Sequence, residues 1–356
     1  MPGLFDPITV GDLTLPNRVF MAPLTRCRAS EGRVPNALMA EYYGQRASAG
    51  LILSEATSVD PMGVGYPDTP GIWSPEQVEG WKLITRAVHD RGGRIFLQLW
   101  HVGRLSHTSY LDGKLPVAPS ALQPQGHVSL LRPIQPYPTP RALGIDEIPG
   151  IIEAYRRGAQ NAQAAGFDGV EIHGANGYLP DQFLQDRANH RDDAYGGSIE
   201  NRARFLLEAT DAALSVWGPD RVGVHLAPRG DLQTMGDSDP VATFGYVARE
   251  LGRRRIAFLC AREQLGEGRI GPRLKQEFGG IYIANEKFNG ETAAQVVGSG
   301  EADAVAFGVL FIANPDLPRR LAMGLPLNAP DPSTFYASGP HGYTDYPAYE
   351  DQDAAA

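Results

Sequence analysis

The chain has 356 residues, of which 42% are hydrophobic and 21% charged, and its formal net charge at pH 7 is −9. This is the composition of an ordinary folded protein, and the negative charge argues against nucleic acid or an anionic membrane surface as a partner. No apolar run is long enough to span a bilayer, and the two cysteines, Cys27 and Cys260, have neither disulfide nor metal spacing, so we expect a cytoplasmic protein.

The first predicted element is a short hairpin at residues 7–15, with Gly11-Asp12 at its turn. Eight short apolar runs follow it, and helical patterns lie between them. Near-continuous apolar runs of this kind are typical of parallel strands that are buried on both faces. The predicted strands are 18–25, 50–56, 94–100, 169–173, 222–227, 256–261, 280–285 and 304–308.

Helices are predicted between these strands. In residues 147–165 and 199–217, apolar side chains recur at steps of three and four behind the candidate caps Asp146 and Ser198. Strand and helix alternate eight times, which predicts an α/β fold, a (β/α)8 TIM barrel with the N-terminal hairpin as a plug. A doubly wound open sheet is the alternative, but no Gly-x-Gly-x-x-Gly opens a first helix. Shorter helices are predicted at 35–48, 75–91, 240–252, 290–299 and 314–322.

Two segments depart from this alternation. Residues 102–145 follow the third strand and carry seven prolines, so we expect a capping loop above the barrel mouth that includes a small hairpin. Residues 325–356 are loop-like but rich in aromatic side chains, and we expect them to fold back on the barrel, with only residues 350–356 frayed. Residues 1–356 are therefore predicted to form a single barrel domain.

Three polar side chains lie around the end of the fourth strand. They are His173, Asn176 and Tyr178, and the strand breaks there at Gly174 and Gly177. Histidine and asparagine can both donate to one oxygen, and tyrosine can give up a proton. Together they have the chemistry to polarise a carbonyl and to protonate the atom beside it. From these residues alone, a buried structural histidine and a tyrosine that only packs remain the alternative.

The other strand ends carry mainly neutral hydrogen-bonding groups, among them Gln98, His225 and Asn285. Hydrogen-bonding groups arranged around the barrel mouth in this way suit the binding of a planar polar heterocycle. The loops after the last two strands, near Gly308, are where this fold tends to bind a phosphate. We therefore expect a nucleotide-like cofactor in the barrel mouth. A metal-dependent lyase or hydrolase is the alternative, since His173 and His225 lie on adjacent strands, but a third ligand is missing.

Four motifs lie along the chain at residues 21–26, 96–104, 173–178 and 192–204, and residues 307–308, 311–317 and 343–347 continue the pattern. Together they resemble the Old Yellow Enzyme family over nearly the whole chain. Thr25 resembles the branch typified by the yeast enzymes and the bacterial nitroester reductases.

The resemblance implies tightly bound FMN, with NADPH or NADH as the reductant. It implies an ene-reductase that reduces the activated C=C bond of α,β-unsaturated carbonyl compounds, such as enones and enals, and we expect nitro compounds or nitrate esters to be accepted as well. A flavin-binding barrel with little turnover is the alternative in this class. The small-molecule substrate is the expected partner, and the chain is expected to be a monomer or a homodimer.

The resemblance also assigns the site residue by residue. His173 and Asn176 would hold the substrate oxygen above the flavin ring, and Tyr178 would donate the proton. The residues implied to contact FMN are Pro23, Leu24, Thr25, Ala56, Gln98, His173, His225, Asn285, Gly308 and Val309. The residues implied to contact the substrate are Tyr66, Trp100, His173, Asn176 and Tyr336. For the three aromatic residues in that set, plain packing is the alternative.

Two positions depart from the family's usual pattern. The family usually has an arginine on strand five beside the flavin and another after the glycine of strand eight, where this chain has His225 and Val309. The loss of one charge-assisted contact costs about 1.5–3 kcal/mol. We expect a protonated His225 to supply the first charge, and Lys287 or Arg229 to supply the second.

Overall fold

The computed structural model describes residues 2–349, in which thirteen β-strands are formed. In chain order they are β1 Ile8–Val10, β2 Leu13–Leu15, β3 Val19–Met21, β4 Ile52–Leu53, β5 Thr57–Ser58, β6 Ile95–Trp100, β7 Val117–Ala118, β8 Arg141–Ala142, β9 Gly169–Gly174, β10 Val222–Leu226, β11 Phe258–Arg262, β12 Tyr282–Asn285 and β13 Ala304–Phe307.

Eight of these strands close into a parallel barrel. Their hydrogen-bonded order is β3-β4-β6-β9-β10-β11-β12-β13, and β13 pairs with β3 to complete the ring. Strand β5 pairs with the last residues of β6 and extends the rim. The predicted (β/α)8 barrel is therefore confirmed, and the open doubly wound sheet is wrong.

The register of the barrel brings the polar strand ends to one mouth. Every residue of β6, β9 and β10 is buried, as expected for strands covered by side chains inside the barrel and by helices outside it. Gln98 on β6 pairs with Glu171 on β9, and His173 on β9 pairs with His225 on β10. Since all eight strands run in the same direction, these side chains lie at the carboxyl-terminal end, where such barrels place their sites.

Ten α-helices are formed in the described residues. They are α1 Ala37–Gln45, α2 Pro75–His89, α3 Ile148–Ala164, α4 Leu179–Leu184, α5 Ile199–Trp217, α6 Pro240–Arg253, α7 Gly271–Phe278, α8 Gly290–Gly298, α9 Val309–Ala313 and α10 Leu317–Met323. Within residues 2–349, no helix combines the length and the hydropathy needed to cross a membrane.

The two predicted helix caps have different outcomes. The Ser198 side chain accepts a hydrogen bond from the Asn201 amide at 3.3 Å, so this cap is confirmed. Asp146 is wrong as the cap of α3, because Glu147 holds the cap position and makes no side-chain bond to the first turn. The Glu147 carboxylate instead accepts hydrogen bonds from Arg141 and from the Gly144 amide.

Three helices were not predicted: α4, α7 and α9. They have six, eight and five residues, too few to show a clear helical period. Isolated helices of this length are marginal in water, so packing against the barrel must stabilise them. All six residues of α4 are buried, so packing covers most of the surface of this helix.

The N-terminal hairpin closes the bottom of the barrel, as predicted. Its apolar residues Ile8, Val10 and Leu15 belong to one buried cluster with Phe20 and other side chains from inside the barrel. The turn requires glycine: Gly11 has φ 57°, and a Cβ there would lie 1.9 Å from the Asp220 carbonyl oxygen, at the entrance to β10. This contact places the hairpin at the amino-terminal end of the strands, away from the mouth.

The capping segment, residues 102–145, differs in detail from the prediction of a small hairpin. Its two strands, β7 and β8, pair in parallel, and the antiparallel pairing is confined to one bridge between His127 and Pro136. Parallel pairing is possible here because more than twenty residues separate the two strands. Val102, Val128 and other apolar residues of the segment pack with Trp100 and Ala56 at the barrel mouth.

The C-terminal segment packs on the barrel through Tyr343, which is fully buried. Its ring stacks on Tyr42 with the centroids 4.0 Å apart. The guanidinium groups of Arg26 and Arg28 lie 5.0 and 4.5 Å from the centroid of the same ring. Arg28 also donates to the Thr334 and Gly339 carbonyls. The tail that was expected to fray, residues 350–356, lies outside the described residues.

We predict that Tyr343→Ala destabilises the fold by about 3–5 kcal/mol, because it deletes a fully buried ring and leaves a cavity between Tyr42 and the arginines. Tyr343→Phe is the matched control. The Tyr343 hydroxyl is buried without a hydrogen-bond partner among the described residues, so its loss should cost little or nothing. Urea unfolding of the three proteins measures both effects. Equal destabilisation by Phe and Ala would contradict the role assigned to the ring.

Candidate active site

A cavity of about 500 Å³ opens at the carboxyl-terminal end of the barrel. Nine residues that the sequence assigned to the site line it: Pro23, Leu24, Gln98, His173, Asn176, His225, Asn285, Gly308 and Val309. They lie on β6, β9, β10 and β12, directly after β3 and β9, and where β13 leads into α9, so strands distant in sequence build one chamber. Its walls are partly apolar and partly hydrogen-bonding, as expected for a small-molecule site.

Most of the remaining predicted residues form an aromatic cluster next to this cavity. Tyr66, Trp100 and Tyr178 pack together with Ala56 under the capping segment. The Tyr178 ring lies 4.9 Å from that of His173 and 5.1 Å from that of Trp100, both edge-on. The Tyr66 and Tyr178 hydroxyls form a hydrogen bond at 2.9 Å. His173 therefore joins the cavity to the aromatic cluster.

Thr25 and Tyr336 lie outside both groups. Thr25 is partly buried just beyond the end of β3, and it is not among the residues that line the cavity. Tyr336, in the C-terminal segment, is half exposed. It is close enough to the aromatic cluster to contribute, after burial and the nearer phenols, to the raised pKa of Tyr178.

The turn that carries Asn176 is fixed by buried side chains. Asn176 and Gly177 have φ values of 59° and 76°, a left-handed conformation that asparagine and glycine tolerate best. The Gly177 amide donates to the Asp181 carboxylate at 2.9 Å, and the Gln182 side chain donates to the Gly177 carbonyl at 2.7 Å. Gln182 also donates to the Val102 carbonyl at 2.9 Å, which ties the turn to the start of the capping segment.

Beneath the cavity lies a buried polar group. Gln98 donates to Glu171 at 2.7 Å, so Glu171 orients the glutamine side chain. His225 Nδ1 is 3.5 Å from the second Glu171 oxygen, and its Nε2 is 3.7 Å from Cys260 Sγ. If His225 were protonated, the negative Glu171 carboxylate would already lie beside its positive charge. Within residues 2–349, Glu171, His225 and Cys260 are the three potential metal ligands that come together, and this group does not include His173.

Burial sets the protonation states of the catalytic candidates. It lowers the pKa of His173 well below the ordinary value, and the neighbouring His225 and Arg262 act in the same direction. Burial raises the pKa of Tyr178 well above its ordinary value, and Tyr66 adds to the shift. At neutral pH the site therefore presents a neutral imidazole and a protonated phenol, both of which can donate a hydrogen bond.

The residues present fit a flavin in this cavity. Gln98 Oε1 and His173 Nδ1 are buried without a hydrogen-bond partner in residues 2–349. An unpaired buried polar atom raises the free energy of the folded protein unless a ligand supplies the missing hydrogen bond. Both residues line the cavity, so a planar group with polar edges would satisfy them there. Gly308 leaves room beside Leu24, since a Cβ on it would lie 3.3 Å from that side chain.

Of the two cations considered for the phosphate, Lys287 has the better position. It lines the cavity together with Gly308 and Val309, and its ammonium donates to the side chain of Gln264 at 3.1 Å. Arg229 lies outside this cavity and is already engaged, with an ion pair to Glu263 at 3.0 Å and two bonds to carbonyls.

Sequence reasoning missed several lining residues, and Arg262 is the most consequential. The predicted sixth strand ended at Ala261, whereas β11 continues to Arg262, whose side chain enters the cavity. A charged residue directly after a buried apolar run was the available signal. The other lining residues that were missed are Ala22, Glu286, Phe288, Asn289, Ala306, Phe307 and Leu310.

Known proteins resemble this chain over nearly its full length. A sequence profile of the NADH:flavin oxidoreductase / NADH oxidase family matches residues 3–328. The 12-oxophytodienoate reductase 1 of Oryza sativa subsp. japonica is 46% identical, over 98% of this chain and 94% of its own length. A probable flavin mononucleotide-dependent alkene reductase of Leishmania infantum is 45% identical, over 97% of each chain. This chain belongs to the NADH:flavin oxidoreductase / NADH oxidase family.

Solved structures of related proteins share the fold of this chain. The old yellow enzyme homologue from Zymomonas mobilis superposes with a TM-score of 0.95 at 47% identity, covering 97% of this chain and 99% of the other. Morphinone reductase in complex with tetrahydroNAD gives a TM-score of 0.95 at 52% identity, covering 99% of both chains. The resemblance to the Old Yellow Enzyme family is confirmed, and so are FMN as cofactor, NAD(P)H as reductant and an ene-reductase type of flavin oxidoreductase.

A buried histidine at the rim makes stability depend on pH. Burial lowers the pKa of His101 to about 4, against a weaker opposing effect of Asp60. The unfolded chain gains a proton near pH 6.5 that the folded protein does not take, so acidification favours unfolding. We predict that His101 contributes a loss of up to about 1.4 kcal/mol per pH unit between pH 6.5 and 4.

The test compares urea unfolding at several pH values for the wild type and His101→Asn, which keeps an acceptor for the Gly103 amide. The variant should show a shallower loss of stability on acidification. His127→Asn, at an exposed histidine of the capping segment, is the control. If His101→Asn and the wild type lose stability in parallel, the imidazole is not held neutral.

Proposed function

We propose that this protein reduces small α,β-unsaturated carbonyl compounds, enones and enals, with nitro compounds or nitrate esters as further substrates. One observation carries the proposal: two neutral donors, His173 and Asn176, line the same cavity, and the protonated Tyr178 lies beside them. A carbonyl oxygen held by the first two residues would place the neighbouring carbons near the phenol. The names of the rice and Leishmania relatives support this class of substrate.

In this proposal, His173 and Asn176 bind the substrate oxygen and stabilise the negative charge that develops on it. The hydride would come from FMN when it is bound, and NADPH or NADH would be its source. Neutral donors in a buried site stabilise such a charge more than they would in water, because few water dipoles compete with them. Loss of one donor of this kind typically costs about 10²–10³ in rate.

Tyr178 donates the proton to the α-carbon. The raised pKa keeps the phenol protonated until the enolate-like carbon, a stronger base, is formed next to it. The Tyr66 hydroxyl, 2.9 Å away, can then donate to the phenolate that is left behind. Trp100 packs edge-on against Tyr178 and, with Tyr336 at the rim, limits the directions that a substrate can take.

We also propose that Pro23, Leu24, Thr25, Ala56, Gln98 and His225 would hold the FMN ring, and that Gly308, Val309 and Lys287 would hold its phosphate. Asn285 would form part of the cavity wall beside the flavin ring. Its side chain is held in place by a hydrogen bond that it donates to the Ala306 carbonyl at 2.8 Å. The contacts of the capping and C-terminal segments support a single FMN-binding barrel domain, residues 1–356. The buried free thiols of Cys27 and Cys260 support a cytoplasmic protein, which we take to be a monomer or a homodimer acting on small molecules.

A visible spectrum tests the proposed function directly. The purified protein should show a flavin absorption band that bleaches with NADPH or NADH under nitrogen and returns on addition of cyclohexenone, with one reduced product per nicotinamide consumed. A colourless, chelator-sensitive protein would instead be a metal-dependent enzyme built on Glu171, His225 and Cys260. A yellow protein that does not return its colour with any enone would be a flavin-binding barrel without turnover.

We predict that Tyr178→Phe slows re-oxidation by cyclohexenone by roughly 10²–10⁴, because the variant has no proton to give to the α-carbon. Reduction of the flavin by the nicotinamide needs no such proton and should stay near the wild-type rate. Stopped-flow measurement separates the two half-reactions, and a nitrate ester serves as a control substrate that needs no carbon protonation. Equal damage to both half-reactions would reject Tyr178 as the proton donor.

A further inference from the structure

Arg262 reaches from the end of β11 into the cavity and contacts Asn176, one of the two residues proposed to bind the substrate oxygen. Its Nη1 donates to Asn176 Oδ1 at 2.8 Å, and its Nε donates to the Glu286 carboxylate at 2.5 Å. On the paired strands, His225 lies opposite Cys260, so Arg262 is two residues nearer the mouth than the position where the family usually has its arginine. Arg262 therefore acts at the level of the substrate rather than beneath the flavin site.

The contact fixes which way the Asn176 amide faces. A guanidinium group has only donors, so the Asn176 atom beside it must be the oxygen. The amide nitrogen then faces the other way, and it makes no hydrogen bond to any residue between 2 and 349. If the amide turned over, its oxygen would face the substrate oxygen, and two acceptors repel each other. Only the orientation held by Arg262 presents a donor to the substrate.

A strained loop holds Arg262 in place. Glu286 and Lys287 follow β12 with φ values of 99° and 58°, a region that side chains with a Cβ rarely adopt. The loop directs the Glu286 carboxylate at Arg262, where the two groups form an ion pair. The Arg262 side chain is still 39% exposed in the cavity wall, so without this partner its long stem would be free to leave Asn176.

We propose that Arg262 is a positioning residue for substrate reduction, which orients the Asn176 amide so that its Nδ2 donates to the substrate oxygen. This inference rests on the proposed role of His173 and Asn176. The positive charge also polarises the amide, which makes Nδ2 a stronger donor towards a developing oxyanion. Arg262 touches neither the reacting carbons nor the transferred proton in this account.

The test is a double-variant cycle on the FMN-loaded enzyme, followed by stopped-flow re-oxidation with cyclohexenone. Arg262→Met keeps an unbranched stem but has no donor, and it should slow re-oxidation by roughly 10–100-fold, less than the loss of the donor itself. In an Asn176→Ala background the same change should have an effect within about twofold, since the amide it positions is gone. Arg262→Lys, which keeps a charged donor, should recover most of the rate.

Re-oxidation of the reduced flavin by dioxygen, which needs no oriented amide, is the control reaction and should keep its rate in Arg262→Met. Additive effects of Arg262→Met and Asn176→Ala, or a wild-type enone rate in Arg262→Met, would overturn the inference. Equal slowing with dioxygen and with the enone would also overturn it, since that pattern indicates a general structural defect. A wild-type protein that fails to bind FMN or to reduce an enone would refute the proposed function itself, before any variant is compared.

Discussion

The site depends on the anchoring of one turn, between β9 and α4. Gly177 is bound on both sides, through its amide by Asp181 and through its carbonyl by Gln182. Both side chains are fully buried, and burial raises the pKa of Asp181 to about 7. Gly103 must lack a side chain for this to work, because a Cβ there would lie 2.2 Å from Gln182 Oε1. The turn, the barrel and the capping segment are therefore fixed relative to one another, and the catalytic candidates with them.

The same enclosure gives the site its chemistry. Burial keeps His173 neutral and Tyr178 protonated, so both groups act as donors without bringing a net charge into the barrel. The charged residues of the cavity, Arg262, Glu286 and Lys287, come instead from the β11 end and the loop after β12. They can orient neutral groups and bind anionic parts of a cofactor at a lower desolvation cost than charges placed under the ring.

The sequence predicted the barrel well because its strands are buried on both faces, which leaves an unmistakable series of apolar runs. It failed where tertiary packing decides the structure. The helices α4, α7 and α9 are too short to show a helical period of apolar residues. At the start of α3, Glu147 and not Asp146 holds the cap position. Residues that line the cavity could be identified from the sequence where they belong to a motif, as His173 does. Arg262 was missed because the predicted strand ended one residue early, and no local pattern reports that Asn176, far away in sequence, would be its partner.

The proposed mechanism is tested most directly by a crystal structure of the FMN-loaded protein with bound cyclohexenone. It predicts that the carbonyl oxygen lies within about 3.2 Å of both His173 and Asn176 Nδ2. It also predicts that the Tyr178 hydroxyl faces the α-carbon from the side opposite the flavin. A ligand whose carbonyl points away from both residues, or a Tyr178 ring turned out of the cavity, would contradict it.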